Sequence, residues 1–398
     1  MVDTYAAKLT GMLTVGVFVA ATTGVAGAAT RTANSCSYAD VASSVAASAA
    51  GDTVNVPAGT CAWSSTLSIT TPISLVGAGK GKTIITNSVG TLVAIKKTQS
   101  TPVRLSGFTF NNSDNQSPIV LIVGPAFKVR IDNMVFNKGD AAVGSNWNGA
   151  GATGPVYGVV HSSEFYNTKR TYFAMDVRSG ESIWGSTAWA EFSAAPTTFP
   201  GSEKMMYFED NAFVWNSSNT DPAVQGALYG QYGGKAAFRR NTFNGLCTYI
   251  DAHGDKPDYS TIYYEIYDNT FVEDQTLCKQ GDIVWLRGGQ MIAHGNTFTG
   301  SSVPFRMSVY WTTDLAAHRV MNTYYWGNTW NGSTVQSSLV VVNDSGQTPA
   351  GYSASAIKLG AQFYLQAPQS GQTYFPYTPY TYPHPLRSEL PAPVLRII

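Results

Sequence analysis

The chain has 398 residues with 25 basic and 25 acidic side chains, so its formal net charge is zero. Such a chain lacks the general electrostatic attraction that holds proteins on nucleic acid, and no nucleic-acid partner is expected. Charged residues make up only 13% of the chain, against a usual share of about 25%. The 38 glycines and the many Asn, Ser and Thr residues are typical of a turn-rich β protein.

Residues 1–28 have the pattern of a secretory signal peptide. Lys8 precedes an apolar run from Met12 to Ala21, and Ala26-Gly27-Ala28 offers small residues for cleavage. The apolar run is shorter than the roughly 20 residues of a membrane-spanning helix, although an uncleaved anchor is the alternative. We therefore expect a secreted monomer of residues 29–398, extracellular or periplasmic, with no membrane association after signal cleavage.

Four cysteines in an exported chain favour disulfide bonds. A Cys36–Cys61 bond would close the N-terminal turn. Cys247 and Cys278 follow neighbouring copies of a repeat described below, so they could bridge adjacent turns or remain as two buried thiols.

The two ends of the mature chain differ from its middle. From Tyr38 to Ala50, apolar residues at helical spacing predict a short helix, and residues 36–61 are expected to cap the open end of a stack. Strand-like runs then continue to about residue 345. Residues 366–398 are rich in proline, which excludes a helix or a central strand, and predict an extended tail along the outside of the stack.

A phrase of asparagine followed by an aromatic residue, as in Asn241-Thr242-Phe243, recurs along the chain. Its copies lie 26 to 32 residues apart, except for one interval of 48. A period of about 20–50 residues is typical of stacked repeats, and the interval of 48 is either two periods or one with an insertion. We expect the Asn side chain to bond either the backbone or its copy in the next coil and the aromatic rings to stack inside. The aromatic residues are Phe110, Phe136, Phe165, Phe213, Phe243, Phe271, Phe298 and Trp330.

Three stretches carry a family resemblance: Cys36–Asp40, Gly51–Cys61 and the repeated Asn-Thr-Phe. Together with the ending Pro379–Leu386, they make the chain similar to secreted bacterial right-handed parallel β-helix proteins of the pectate-lyase-like superfamily. The resemblance spans nearly the whole mature chain. It implies an all-β fold, a single right-handed parallel β-helix with a short N-terminal capping helix and projecting loops. It does not by itself choose a reaction, because that superfamily contains lyases, hydrolases, epimerases and non-catalytic members.

Equivalent positions on neighbouring coils of a β-helix lie about 4.8 Å apart, so a functional site forms a column. Counting back from Asn241 and Asn296 puts Gly233 and Gly288 eight residues earlier in each copy, which predicts that Tyr232 and Arg287 are in register. The predicted column is Arg178, Tyr232, His253, Arg287 and Tyr310. Two residues earlier, and facing the same way, we expect Asp176, Gly230, Asp251, Trp285 and Ser308.

These columns combine cations, aromatic rings and acids, as a groove for an extended acidic sugar chain would. Eliminating across a uronic acid needs a base near C5 and a cation that stabilises the enolate developing at the carboxylate. Arg178 and Arg287 are predicted to bind the carboxylate through paired hydrogen bonds. His253 or Tyr232 would take the proton and the other would protonate the leaving oxygen, with Lys256 as a further candidate base.

Other residues are predicted to line the groove or to hold a metal. The predicted substrate contacts are Asp251, Trp285, Tyr310, Tyr229 and Trp311. Asp251 would orient His253 or, with Asp176 and Glu209, bind Ca²⁺, which resembles the way related β-helix lyases neutralise the substrate acid.

The favoured prediction is therefore a polysaccharide lyase acting on a uronic-acid-containing polymer. A glycoside hydrolase would need two carboxyl groups roughly 5–10 Å apart. The segments Asn219–Asp221 and Ala252–Gly254 faintly resemble polygalacturonase motifs, but no adjacent pair of Asp residues follows. A non-catalytic carbohydrate-binding surface protein, using Trp184, Trp189 and Trp311 to stack on sugars, is the other alternative.

Overall fold

The computed structural model describes residues 27–87, 90–96, 101–112, 117–137, 141–145, 155–166, 175–177, 200–215, 228–230, 233–245, 250–252, 261–273, 282–309, 319–344 and 352–388. At 112, 175–177 and 228–229 only the backbone is described.

Most of the regular structure lies in three long sheets, here named A, B and C. Sheet A contains β1 Thr30–Thr32, β2 Thr53–Val56, β5 Ser74–Gly77, β8 Val103–Ser106, β11 Ala126–Asp132, β14 Val156–His161, β17 Met206–Glu209, β20 Lys235–Arg239, β23 Tyr263–Tyr267, β26 Gln290–His294, β29 Thr323–Trp326 and β33 Phe363–Tyr364. Sheet B contains β3 Gly59–Trp63, β6 Thr83–Asn87, β9 Phe108–Asn112, β12 Val135–Asn137, β15 Glu164–Tyr166, β18 Ala212–Val214, β21 Thr242–Asn244, β24 Thr270–Val272, β27 Thr297–Thr299, β30 Thr329–Trp330 and β31 Ser333–Thr334. Sheet C contains β4 Leu67–Ile69, β7 Val93–Lys96, β10 Pro118–Val123, β13 Ala141–Ser145, β16 Met175–Val177, β19 Leu228–Gly230, β22 Ile250–Ala252, β25 Asp282–Leu286, β28 Val303–Val309 and β32 Val340–Asp344. The helix α1 spans Tyr38–Ala46, and short 3-10 helices span Ser337–Leu339, Ala354–Ala356 and Pro385–Arg387.

Successive strands visit the three sheets in turn. β20 in sheet A is followed by β21 in sheet B and β22 in sheet C, and the next coil repeats this order with β23, β24 and β25. Corresponding strands of neighbouring coils pair in parallel, as β20 does with β23. Among the described residues the one antiparallel pair joins β30 and β31. The predicted all-β character with long parallel sheets is thus confirmed, and the strand order is consistent with a parallel β-helix.

The repeated aromatic residues form one stack inside the coils. All eight lie opposite one another on neighbouring strands of sheet B. From Phe165 to Phe298 the centroids of neighbouring rings are 4.5 to 4.7 Å apart. Phe165 pairs directly with Phe213, so the interval of 48 residues is one coil that carries an insertion.

The repeated asparagines form a ladder at the turn between sheets A and B, as predicted. The backbone N–H and the Nδ2 of Asn241 both donate to Oδ1 of Asn269, each at 3.0 Å. Nδ2 of Asn241 also donates to the carbonyl of Phe208 at 2.9 Å. The preceding residue, Arg240, has a φ of 58°, which turns the chain from one sheet to the next. The ladder comprises Asn211, Asn241, Asn269, Asn296 and Asn328.

We expect Asn269→Ala to lower the free energy of unfolding by about 3 kcal/mol. The substitution leaves the buried N–H of Asn241 and the carbonyl of Phe238 without their hydrogen-bond partner. Asn244→Ala, at an exposed position of β21, is the matched control and should change stability by less than about 0.5 kcal/mol. Urea unfolding followed by circular dichroism measures both. Equal losses in the two variants would show that the ladder contributes no more than a surface amide.

The predicted N-terminal helix is present but shorter than expected. α1 ends at Ala46, whereas the sequence pattern extended to Ala50. Asp52 explains the early end, because its carboxylate accepts hydrogen bonds from the backbone N–H groups of Ala49 and Ala29, each at 2.9 Å. The predicted Cys36–Cys61 disulfide is formed, and the predicted Cys247–Cys278 pair lies outside the described residues.

The proline-rich segment 374–387 lies against the outward face of sheet A. The guanidinium of Arg239 donates to the carbonyl oxygens of Tyr380 and Thr381 at 2.6 and 2.8 Å. Tyr377 donates to Glu265 at 2.8 Å, and the N–H of His384 donates to Glu209 at 3.0 Å. Polar side chains that sheet A turns outward are therefore buried beneath this segment.

Partial burial of His294 on the same face makes stability depend on pH. Its ring stacks between Tyr267 and Trp326 with centroids 4.9 and 4.5 Å away, and burial lowers its pKa from 6.5 to about 4. As the pH falls from 6.5 towards 4, His294 becomes protonated in the unfolded chain but stays neutral in the folded chain. The free energy of unfolding therefore decreases over this pH range. His294→Phe keeps an aromatic ring in the stack and should reduce the slope of unfolding free energy against pH by about 1.4 kcal/mol per pH unit. Urea titrations at several pH values test this, and an unchanged slope would contradict it.

Candidate active site

The outward face of sheet C is set by alternation along its strands. Val284 and Leu286 of β25 lie in the core, so Trp285 between them projects outward. The same alternation in β28 buries Met307 and turns Arg306 outward.

One column of positions crosses this sheet: Asp176, Tyr229, Asp251, Trp285 and Arg306. The prediction that Asp176, Asp251 and Trp285 share a column is confirmed by the strand register. The prediction for the other two positions is wrong. Gly230 lies one residue, and Ser308 two residues, beyond the column. The positions in the column are occupied by Tyr229 and Arg306.

Corners of different length between sheets C and A cause the first error. Gly230 and Leu286 share a column through Ala252, while Gly233 and Gly288 precede matched positions of sheet A. The first corner contains one residue more than the second, so counting back from the Asn ladder slips by one. The register of sheet C therefore removes the basis for placing Tyr232 opposite Arg287.

Asp251 and Arg287 form a buried ion pair. Nε and Nη2 of Arg287 donate to Oδ1 and Oδ2 of Asp251 at 3.1 and 2.6 Å, and the side chains are 3% and 0% exposed. The two donors predicted to bind a substrate carboxylate are thus engaged within the protein. We therefore assign Arg287 to holding Asp251 in place rather than to binding substrate.

Two guanidinium groups flank Trp285. The central carbons of Arg287 and Arg306 each lie 4.4 Å from its ring centroid, and the indole N–H donates to Ser308 at 2.7 Å. Trp285 is only 6% exposed. Its ring packs against both guanidinium groups, and this burial does not fit the predicted contact of Trp285 with substrate.

Arg306 is the functional candidate that the sequence analysis missed. Its side chain is 18% exposed, the largest exposure among the charged members of this cluster. Nη1 donates to Asp282 at 3.2 Å and Nε donates to Asn343 at 3.1 Å, which fixes the guanidinium at the surface. Aligning Val284 and Leu286 with Phe305 and Met307 by their apolar alternation would have placed Arg306 opposite Trp285.

Several predicted site residues lie outside the described residues: His253, Tyr232, Lys256, Arg178, Tyr310 and Trp311. In the chain, Arg178 follows β16 directly, His253 follows β22 and Tyr310 follows β28. These strands are parallel, so their carboxyl ends lie at one edge of sheet C.

The predicted set of calcium ligands does not come together. Glu209 belongs to β17 of sheet A, whereas Asp176 and Asp251 belong to sheet C. The Glu209 carboxylate accepts hydrogen bonds from Arg239 at 2.7 Å and Arg387 at 3.0 Å. Its negative charge is therefore already paired with two arginines. Within the described ranges, no three His, Cys, Asp or Glu side chains are arranged to hold a metal ion.

No family model matches the chain, and no curated protein matches it. Among solved structures it is similar to an alginate lyase from Paenibacillus sp. str. FPU-7, with 11% identity, a TM-score of 0.44, and coverage of 81% of this chain and 99% of that one. It is also similar to a PL6 family polysaccharide lyase from Pseudopedobacter saltans, with 12% identity, a TM-score of 0.37, and coverage of 85% and 82%. A third is the ORF18 protein of Geobacillus virus E2, with 15% identity, a TM-score of 0.32, and coverage of 82% and 56%.

Proposed function

We propose that the protein is a polysaccharide lyase that cleaves a uronic-acid-containing polysaccharide by β-elimination on the outward face of sheet C. The observation that carries this proposal is the cluster of Asp251, Trp285, Arg287 and Arg306, which holds a partly exposed guanidinium on that face. A fixed cation of this kind suits the carboxylate of a uronic acid. We further propose that the three sheets form one right-handed solenoid.

In the proposed reaction, Arg306 binds the carboxylate of the sugar next to the scissile bond. The base removes the C5 proton, and negative charge moves onto the carboxylate, where the guanidinium stabilises it. The C4–O bond then breaks as the C4–C5 double bond forms, and the leaving oxygen takes a proton. His253 and Tyr232 are proposed for the two proton transfers, with Lys256 as the alternative base, and Arg178 as a second cation.

We also propose that residues 1–28 direct export and are cleaved. The Cys36–Cys61 disulfide supports an oxidising compartment. Within the described part of the chain, no helix is long and apolar enough to cross a membrane.

The reaction type is tested on a panel of pectin, alginate, glucuronan and glycosaminoglycans. A lyase releases an unsaturated product that absorbs in the ultraviolet without consuming water. Failure to produce this absorbance on any of these polymers would sink the proposal. New reducing ends without absorbance would identify a hydrolase, and binding without either product would identify a carbohydrate-binding protein.

A further inference from the structure

A cavity of about 410 Å³ opens on the outward face of sheet A, between β11, β14 and the C-terminal segment. This is a different sheet from the one that carries the candidate active site. Its volume is within the range of about 300–1,000 Å³ found for sites that bind small molecules. The residues that matter for its chemistry are Phe127, Lys128, Tyr157, Lys204 and His384.

A bulge in β11 builds one wall of the cavity. Consecutive residues of a regular strand point to opposite faces, yet Phe127 and Lys128 both line this cavity. The register between β11 and β14 shifts between Ala126 and Val129, and Lys128 has a φ of 71°, which is uncommon for a residue with a side chain. Such bulges redirect side chains and are over-represented beside functional sites.

The neighbouring strand is adapted to the bulge. At Gly158 of β14, a Cβ atom would lie 2.0 Å from the carbonyl oxygen of Val129, so only glycine fits there. The Phe127 and Tyr157 rings stack with centroids 5.4 Å apart and planes 25° apart. Aromatic surface of this kind is suited to packing against the apolar faces of sugar rings.

The charge around this aromatic pair is mainly positive. Lys128 and Lys204 line the cavity together with one acid, Glu203. Lys235, which is 3% exposed, donates to the Tyr157 hydroxyl at 3.4 Å, with its ammonium 5.3 Å from the ring centroid. Two lysines against one glutamate in the cavity wall, with the buried Lys235 ammonium behind Tyr157, favour an anionic ligand.

A buried histidine also lines the cavity. His384 is 3% exposed, and its Nδ1 accepts a hydrogen bond from the N–H of Leu386 at 3.2 Å. Burial lowers the pKa of His384 to about 3, so the neutral ring carries its proton on Nε2. Nε2 has no hydrogen-bond partner among the described residues. Such a buried donor without a partner is rare.

We propose that this cavity is a second saccharide-binding site that takes a uronate unit of the polymer. The sugar ring packs on Phe127 and Tyr157, and the carboxylate faces Lys128 and Lys204. The choice of polymer rests on the proposed function, whereas the preference for an anionic sugar rests on the cavity. A chain anchored here would be retained by the protein away from the candidate active site.

The test is isothermal titration of the full chain with trisaccharides of galacturonate, mannuronate, guluronate and glucuronate, and with maltotriose as a neutral probe. Lys128→Asn with Lys204→Gln removes two charges while keeping a residue that tolerates positive φ at 128. The wild type should show two binding events, one at each site. In this variant the affinity of one event should fall about tenfold or more, while turnover of short substrates stays unchanged. Tyr157→Ala should weaken the same event. Lys358→Asn, at an exposed position elsewhere, is the control and should bind like the wild type.

Unchanged binding in both the double lysine variant and Tyr157→Ala would overturn the second site. Binding of maltotriose as tight as that of the uronates would overturn the assignment to an anionic sugar. Lyase activity without any binding that depends on Lys128 would remove the second site and leave the proposed function standing. Binding that depends on Lys128, in a protein that yields no unsaturated product, would support the second site and remove the proposed function.

Discussion

Replacing Arg306 by Ala should lower kcat/KM on the acidic polysaccharide by about 100- to 1,000-fold, the usual effect of removing one group that stabilises developing negative charge. Arg306 is the partly exposed cation of the cluster on sheet C, and Asp282 and Asn343 hold it in place. A fixed guanidinium interacts more strongly with the enolate than with the ground-state carboxylate, because charge accumulates there as the C5 proton leaves. The loss should therefore appear mainly in kcat. The measurement is the initial rate of ultraviolet absorbance over a range of substrate concentrations.

Two controls separate catalysis from folding in this experiment. Arg306→Lys keeps a cation beside Asp282 and should retain part of the activity, since an ammonium lacks the paired donors of a guanidinium. Arg240→Ala removes an arginine whose side chain is 50% exposed on another face and should leave the rate unchanged. Circular dichroism and urea unfolding confirm that each variant is folded. Full activity in folded Arg306→Ala would refute the role of Arg306.

The fold could be predicted because its signals are local and repeated. Asn241, Asn269 and Asn296 occupy equivalent turns, and each donates to the asparagine of the next coil. The aromatic residue that follows stacks on its own copy. A residue that meets its own copy in the next coil leaves a periodic trace in the sequence. The stack and the ladder therefore set the register of sheets A and B correctly.

Sheet C was harder to align because the chain reaches it through corners of variable length. One additional residue between Gly230 and Gly233 was enough to shift the predicted column by one position. Arg306 was missed because the predicted alignment of β28 was wrong by two positions. Buried pairing was harder still. The partners of Glu209 include His384 and Arg387, 175 and 178 residues away in the chain, and no periodic pattern relates them. Glu209 consequently resembled a metal ligand in the sequence, although it serves the packing of the C-terminal segment.

That packing depends on one fully buried arginine. Arg239 is 0% exposed, and its Nε donates to Glu209 at 2.7 Å and its Nη1 to Tyr267 at 2.9 Å. It also donates to the carbonyl oxygens of Tyr380 and Thr381 in the C-terminal segment. Removing one partner of a buried ion pair leaves the other charge without compensation in a medium of low dielectric constant. The next residue in the chain, Arg240, differs: its side chain is half exposed, lies 3.8 Å from Asp268, and reaches the C-terminal segment only by packing on the Tyr382 ring, 4.1 Å from its centroid.

Arg239→Met should therefore lower the free energy of unfolding by about 3–5 kcal/mol, while Arg240→Met should change it by no more than about 1 kcal/mol. Both substitutions replace an arginine by an unbranched apolar side chain, so the difference isolates burial and pairing. Urea unfolding measures the free energies. Limited proteolysis followed by mass spectrometry should show much faster cleavage within 374–388 in Arg239→Met than in Arg240→Met, since Arg239 donates two hydrogen bonds to that segment and Arg240 only packs on the Tyr382 ring. Equal stability of the two variants would mean that Arg387 alone compensates Glu209 and that Arg239 does not secure the C-terminal segment.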